Sequence, residues 1–225
     1  MSFVGVGLAG LDPPPFLIGY RDGGTIEVYE GISNTILYTF SSISFPNNFS
    51  DMTFDGENLI VIDLSRTVYT HSRLSSTISS TFIAEDAGTI RGITTDGTNL
   101  ICINDIGDYV SVHDGFSSTI DSTFAAPGTF PFRLAFDGVN LISGDRNVDK
   151  IFLHDGISAT ILDSFATPDA GLTGLAWDGV NLISCSNIAF DNVIYIHDGF
   201  SSTILDSFAA PESGFKDLDG IVMIR

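Results

Sequence analysis

Apolar residues in this chain fall in short runs, each closed by a turn signal, and no run keeps up the three-to-four spacing of a capped helix. The stretch from Arg133 shows the pattern. RLAFD is followed by Asp137-Gly138, NLIS by a polar loop at 144–150, KIFLH by Asp155-Gly156, and TILDSFA by Pro168. Asp-Gly between apolar runs predicts a hairpin, because glycine takes positive φ without steric cost. Each unit therefore predicts four strands and no helix.

The unit recurs through the chain. FDGENLI, TDGTNLI, FDGVNLI, WDGVNLI and a shorter LDGIVMI place their aspartates at 55, 96, 137, 178 and 219, an interval of 41 residues each time. A second block follows the same rhythm: YEGISNTILYTF, HSRLSSTISSTF, HDGFSSTIDSTF, HDGISATILDSF and HDGFSSTILDSF. Four strands per repeat of this length predict the blades of an all-β propeller. Five such units nearly fill the 225 residues, so the expectation is a single domain, 1–225, of five four-stranded blades. The chain opens on second, third and fourth strands (FLIGY, TIEVYEG, NTILYTF) and ends on a first-strand copy, FKDLDG, so its two ends are expected to close the ring in one blade. The alternative is a sixth, composite blade, since residues 7–12 (GLAGLD) also read as a first strand and 221–225 as a second.

The repeats resemble those of β-propeller proteins over nearly the whole chain. They lack the GH…WD pair of WD-type blades and the double glycine of kelch blades. The DG…NLI…IYIHDG pattern is similar in style to lactonase-like and glutaminyl-cyclotransferase-like propellers, and the size to five-bladed tachylectin-type lectins without their sugar-site motifs. The resemblance implies architecture alone, because propellers include enzymes, lectins and scaffolds.

Composition narrows the function classes. Hydrophobic residues make 44% of the chain, which excludes disorder. Nine basic residues against 28 acidic ones give a net charge of −19, which repels a phosphate backbone and argues against nucleic acid as partner. No apolar stretch is long enough to span a membrane, and the opening MSFVGVGLAGLDPPP does not read as a secretory signal. Cys102 and Cys185 are too few for a disulfide framework and read as core thiols.

Repeated residues read first as structure. His71, His113, His154 and His197 share one slot, filled by Tyr29 in the first copy, and are expected to bond within their own turns rather than gather around a metal. Phe40, Phe82, Phe124, Phe165 and Phe208 share another slot, and Phe54, Phe136 and Trp177 a third; both are expected to pack between blades.

In a propeller the first-to-second and third-to-fourth turns share one face. Here that face carries the repeated DG and HDG turns. The opposite face carries the variation, in loops 22–24, 63–66, 104–108, 144–150 and 186–192 and connections 45–50, 85–89 and 128–132. Loops on a rigid frame commonly carry function. Arg21, Arg66, Arg146 and Lys150 lie in those loops. Arg91, Arg133 and Lys216 open first strands that face the channel, with Asp51 in the slot of Arg133. Arg21, Arg66, Arg91, Arg133, Arg146 and Lys150 are thus the candidate ligand-binding residues, for an anion or a sugar at one channel mouth. Asp145, Asn147 and Asp149 match the D-x-N-x-D opening of a calcium loop, although Lys150 stands in place of its glycine and Gly156 in place of its glutamate. No cofactor is expected, with calcium as the one alternative.

The leading expectation is a non-enzymatic binding or scaffolding propeller that presents its variable face to a protein or a glycan, in a setting such as a virion or an extracellular surface. End strands that pair between chains instead of within one would make a homo-oligomer. A lectin is the second reading. The third is a metal-dependent lactonase-like or cyclotransferase-like enzyme, with Asp51 and Asp217 as the channel acids.

Overall fold

The structure, a computed structural model, describes residues 16–21, 25–41, 49–188, 191–209 and 218–224. The first blade holds β1 (Phe16–Arg21), β2 (Thr25–Tyr29) and β3 (Ile36–Ser41). The second holds β4 (Phe49–Phe54), β5 (Leu59–Asp63), β6 (Thr67–His71) and β7 (Ile78–Ile83). The third runs through β8 (Ile90–Thr95), β9 (Leu100–Asn104), β10 (Tyr109–His113) and β11 (Ile120–Ala125). The fourth comprises β12 (Pro131–Phe136), β13 (Leu141–Asp145), β14 (Lys150–His154) and β15 (Ile161–Ala166). The fifth comprises β16 (Leu172–Trp177), β17 (Leu182–Ile188), β18 (Asp191–His197) and β19 (Ile204–Ala209). A last strand, β20 (Leu218–Ile224), pairs antiparallel with β1, so the first sheet runs β20-β1-β2-β3. The result is five four-stranded blades in a ring closed by the two ends of the chain.

Burial follows the position of each strand in its blade. Second strands such as LIVID, LICIN and LISGD are buried at every residue, while outer strands such as β7 and β11 are exposed except for one inward phenylalanine and their first residue. The core is divided into clusters that each lie between two neighbouring blades. Ile18, Ile26 and Val28 of the first blade meet Met52, Leu59 and Val61 of the second, with Phe40 against them. Phe82, Phe124, Phe165 and Phe208 fill the same place in the other gaps, as their shared slot predicts. Full burial of such a ring is worth about 1.5–3 kcal/mol, and these half-buried rings contribute part of that.

Polar side chains tie the innermost strands together around the ring. Asp51 on β4 accepts the N–H of Ile93 on β8 at 2.8 Å, and Ser50 donates to the carbonyl of Ile90 at 2.5 Å. Arg133 on β12 donates from Nε to Thr173 O on β16 at 2.5 Å and from Nη1 to Arg91 O on β8. Three blades thus meet on one guanidinium. Between them the backbones run close: a Cβ on Gly92 would lie 2.9 Å from Arg133 Cα.

The closing strand departs from the repeat. In the complete blades the residue paired with the leading leucine of the second strand is Phe54, Thr95, Phe136 or Trp177. Another 41 residues would put Leu218 opposite Leu17, but Met223 stands there, five positions on. The first-strand place therefore falls to LDGIVMI, residues 215–217 lying outside the described residues, and Asp219-Gly220 lies within a strand instead of making a turn. β1 already fills the second-strand place, so the β-branched, apolar IVMI segment takes the inner one. That same occupancy removes the sixth blade: 221–224 belongs to β20, and residues 7–12 lie outside the described residues.

Candidate functional site

Two faces surround the channel, and their chemistry differs. On the variable face, second-to-third loops and blade connections brace each other through backbone bonds, such as Ala84 N to Arg66 O, Ala126 N to Asp108 O and Thr167 N to Asp149 O. Asp145 anchors the fourth blade's loop. It is fully buried; Oδ2 accepts the N–H groups of Thr129 and Phe130, both at 2.7 Å, and Oδ1 those of Asn147 and Val148, at 2.8 and 2.9 Å. Asn147 donates to Thr129 Oγ1 at 2.8 Å. Four N–H groups saturate the Asp145 carboxylate, so a calcium ion there competes with all of them. The connection passes so close to Asp145 that a Cβ on Gly128 would lie 2.1 Å from its carboxylate, at a φ of +87°.

The candidate cations separate into groups. Arg91, Arg133 and Arg146 converge on the ring of Phe132, with guanidinium carbons 5.9, 4.1 and 5.0 Å from its centroid. Phe130 stacks beside Phe132, with centroids 5.7 Å apart, and also lies 5.9 Å from Arg91. Arg91 pairs with Asp105 at 2.6 Å and keeps 29% of its side chain in solvent, and Arg146 is exposed. Arg133 is 2% exposed, with its donors on carbonyl oxygens, so it supports this group from beneath. Arg66 donates to the carbonyl of Asp86, in the connection from the second blade to the third, and Lys150 is exposed at the start of β14. The Arg21 side chain, Lys216 and Asp217 lie outside the described residues. Sequence reading missed the two phenylalanines. Their signal was present, since residues 130–132 read FPF where the other copies carry NFS, TIR and GLT.

The repeated face is built from local bonds. Each histidine donates from Nδ1 to the carbonyl four residues on: His71 to Ser75 at 2.8 Å, His113 to Ser117 at 3.0 Å, His154 to Ser158 at 2.6 Å and His197 to Ser201 at 2.8 Å. A carbonyl only accepts, so Nδ1 carries the hydrogen in each, and in His154 and His197 Nε2 accepts. It takes the Ser143 hydroxyl in His154 and the Ser184 hydroxyl in His197, both at 2.8 Å. Cys102 stands in that serine slot in the third blade, and His113 Nε2 instead donates to Asp86 Oδ2 at 2.9 Å, since a carboxylate only accepts. Burial pushes the Asp86 carboxyl up, and hydrogen bonds from His113 and Ser111 more than offset it, holding it below its ordinary range. Burial and the Asp86 charge push the Cys102 thiol well up. Ligand atoms of Asp86, Cys102 and His113 lie within 4.8 Å of one another, a donor set that suits zinc, although the Asp86–His113 contact already engages two of the three.

The turns of this face carry Glu30, Asp55, Glu57, Asp96, Asp114, Asp137, Asp155, Asp178 and Asp198, with Arg73 as the only base among their described residues. At the centre lies a cavity of about 340 Å³, walled by Phe54, Thr95, Phe136 and Trp177 and rimmed by Asp55, Asp96 and Asp137 with their glycines. A deeper space of about 100 Å³ continues into the channel between Met52, Ile93, Leu134 and Leu175. The wall residues are half-buried: Phe54 and Trp177 pack on blade cores and also line this cavity, and Phe136 lines it too, where packing between blades alone was expected.

No protein-family model matches the chain, and no curated protein matches its sequence. Solved structures do match in shape. A chain of the nidogen/laminin complex is 17% identical with a TM-score of 0.63, covering 94% of this chain and 98% of that one. The glutaminyl cyclase of Myxococcus xanthus is 13% identical with a TM-score of 0.58, covering 71% and 76%. A chain of the mitotic checkpoint complex is 17% identical with a TM-score of 0.51, covering 91% and 64%. At these identities the likeness speaks to the fold, and the fold is that of a five-bladed β-propeller.

Proposed function

We propose that this propeller is a non-enzymatic binding module that uses its variable face, around Arg91, Arg146 and Phe130, to hold an anionic group on a protein or glycan partner. The observation that carries this reading is the convergence of three guanidiniums on the Phe132 ring in a chain with a net charge of −19. Asp105 meets the Arg91 charge on one side, and an anion bound between Arg91 and the exposed Arg146 offsets the repulsion that is left. Guanidiniums also offer forked donors that suit carboxylate or sulfate. Two of the similar structures come from protein complexes, which supports a protein partner.

Enzyme chemistry of the cyclotransferase-like kind has a glutaminyl cyclase among the similar structures, but its expected channel acid is engaged in the fold. Asp51 is 2% exposed and accepts the Ile93 N–H in the channel wall. A lectin reading is favoured by one feature, the half-buried Phe130 ring beside Arg91, which is able to stack on a sugar face.

The test is a screen of acidic peptides and of neutral, carboxylated and sulfated glycans, run with the parent protein and with Arg91→Ala/Arg146→Ala. Anionic hits that weaken at least about tenfold in the double variant, with unchanged thermal unfolding, support the reading. Hits confined to neutral sugars point to the lectin. Anionic hits that bind the double variant as tightly as the parent overturn this face as the site.

A further inference from the structure

We infer that the central cavity of the repeated face is a second binding site, for a quaternary or alkylated ammonium group. The variable face carries no part of it, and the inference stands apart from the function proposed above. The cavity, about 340 Å³, falls in the range of small-ligand sites. Its walls are Phe54, Phe136 and Trp177, one from each of three blades, at the position where the inner strands emerge from the core. A ring that turns its face to such a space presents negative π-density to it, which holds a cation stripped of water.

Charge complements the rings. The rim aspartates sit on a face whose turns carry acids almost without opposition, and a concave mouth lined by one sign concentrates that field.

The same aspartates select the kind of cation. Asp55 Oδ1 accepts two turn N–H groups, at 2.8 and 2.6 Å, and its Oδ2 faces Asn58 Nδ2 at 3.4 Å. Asp96 repeats this at 2.8, 2.6 and 3.1 Å, and Asp137 at 2.7, 2.6 and 3.3 Å. Their charge reaches the cavity, but their oxygens are engaged in holding the turns. A metal ion or a simple ammonium needs those oxygens directly. A quaternary ammonium needs only the field and an apolar wall. The deeper space is lined by Thr53, Thr94 and Thr95 as well as by Met52, Leu134 and Leu175, so the apolar contact for the methyl groups falls to the three rings.

Trp177 is the only tryptophan of the chain, so its fluorescence reports on this wall directly. The experiment titrates the full-length protein with choline, with its neutral isostere 3,3-dimethylbutan-1-ol, and with a peptide bearing one trimethylated lysine, at constant ionic strength. A saturable change in emission with choline, absent with the isostere, is expected. Phe136→Leu keeps an apolar wall and removes a ring, and is expected to weaken the response about threefold to thirtyfold. Asp137→Asn, which leaves the walls intact, is expected to weaken it too. Tighter binding of the peptide than of choline assigns the site to a protein side chain, and the reverse order to a free small molecule. No saturable response to either cation overturns the inference, and so does an equal response to the neutral isostere. If Phe136→Leu fails to fold, an unweakened response in Asp137→Asn overturns it alone.

Discussion

Arg133 donates from Nε to the carbonyl oxygen of Thr173 at 2.5 Å, 40 residues further along the chain and one blade further round the ring. With its second bond, back to Arg91 O in the opposite direction, this one buried side chain does for three inner strands what a β-ladder cannot, since inner strands of adjacent blades do not pair with each other. Replacing Arg133 by Met keeps most of the volume and leaves both carbonyls without their donor. Chemical denaturation should show a loss of about 2–4 kcal/mol. A loss below about 0.5 kcal/mol would show that the ring does not depend on this bridge.

Gly92 tests how tightly the blades are drawn in. A Cβ there meets Arg133 Cα at 2.9 Å and Leu134 N at 3.0 Å, and backbone has no rotamer with which to yield. Gly92→Ala should cost about 1–3 kcal/mol. Gly144→Ala, whose nearest neighbour is the flexible end of Leu172 at 2.2 Å, is the milder comparison.

Arg73 occupies a slot that four other copies give to glycine, and it does so at a φ of +56°, beside values of 65°, 65°, 61° and 59° for Gly31, Gly115, Gly156 and Gly199. A left-handed backbone disfavours any side chain with a Cβ by about 1–2 kcal/mol, partly returned by glycine's larger unfolded-state entropy. Arg73→Gly should therefore raise stability by about 0.5–1 kcal/mol, read as a higher denaturation midpoint at constant slope.

Acid should weaken the ring through three histidines. Burial lowers His71, His154 and His197 below their ordinary 6.5, against the opposing pull of a backbone hydrogen bond. The unfolded chain then binds protons that the native one refuses. Their stabilising effect is complete above about pH 6.5 and falls as pH drops below it, by no more than about 1.4 kcal/mol per pH unit for each histidine. His154→Gln should reduce that slope between pH 6.5 and 5; an unchanged slope would place the acid sensitivity elsewhere.

Much of this was legible from residues alone, and what was hidden has physical causes. The Asp-Gly and His-Asp-Gly turns recur with their hydrogen-bonding partners intact, so the strands, their order and the number of blades follow from spacing. Arg133 was legible as a residue of the channel but not as a buried one, because a long side chain turns aside to carbonyls on strands from other repeats. Asp86 lies in a connection that no other copy resembles, so its pairing with His113 left no trace in the period. The closing strand misled for the opposite reason. LDGIVMI copies a turn and second strand faithfully, and only the prior claim of β1 on that place gives it another role.

Ring closure in this register is the claim on which both mouths rest, and a pair of cysteine variants tests it most directly. Leu17 faces Met223 in the structure, whereas the 41-residue period would set it against Leu218. Facing residues on antiparallel strands lie within disulfide reach, and the native Cys102 and Cys185 are buried thiols outside any disulfide. Leu17→Cys/Met223→Cys should oxidise to a bond within one chain and raise the unfolding midpoint, while Leu17→Cys/Leu218→Cys should stay reduced. A bond through position 218 instead, or one that forms only between chains, would contradict a ring closed by β20.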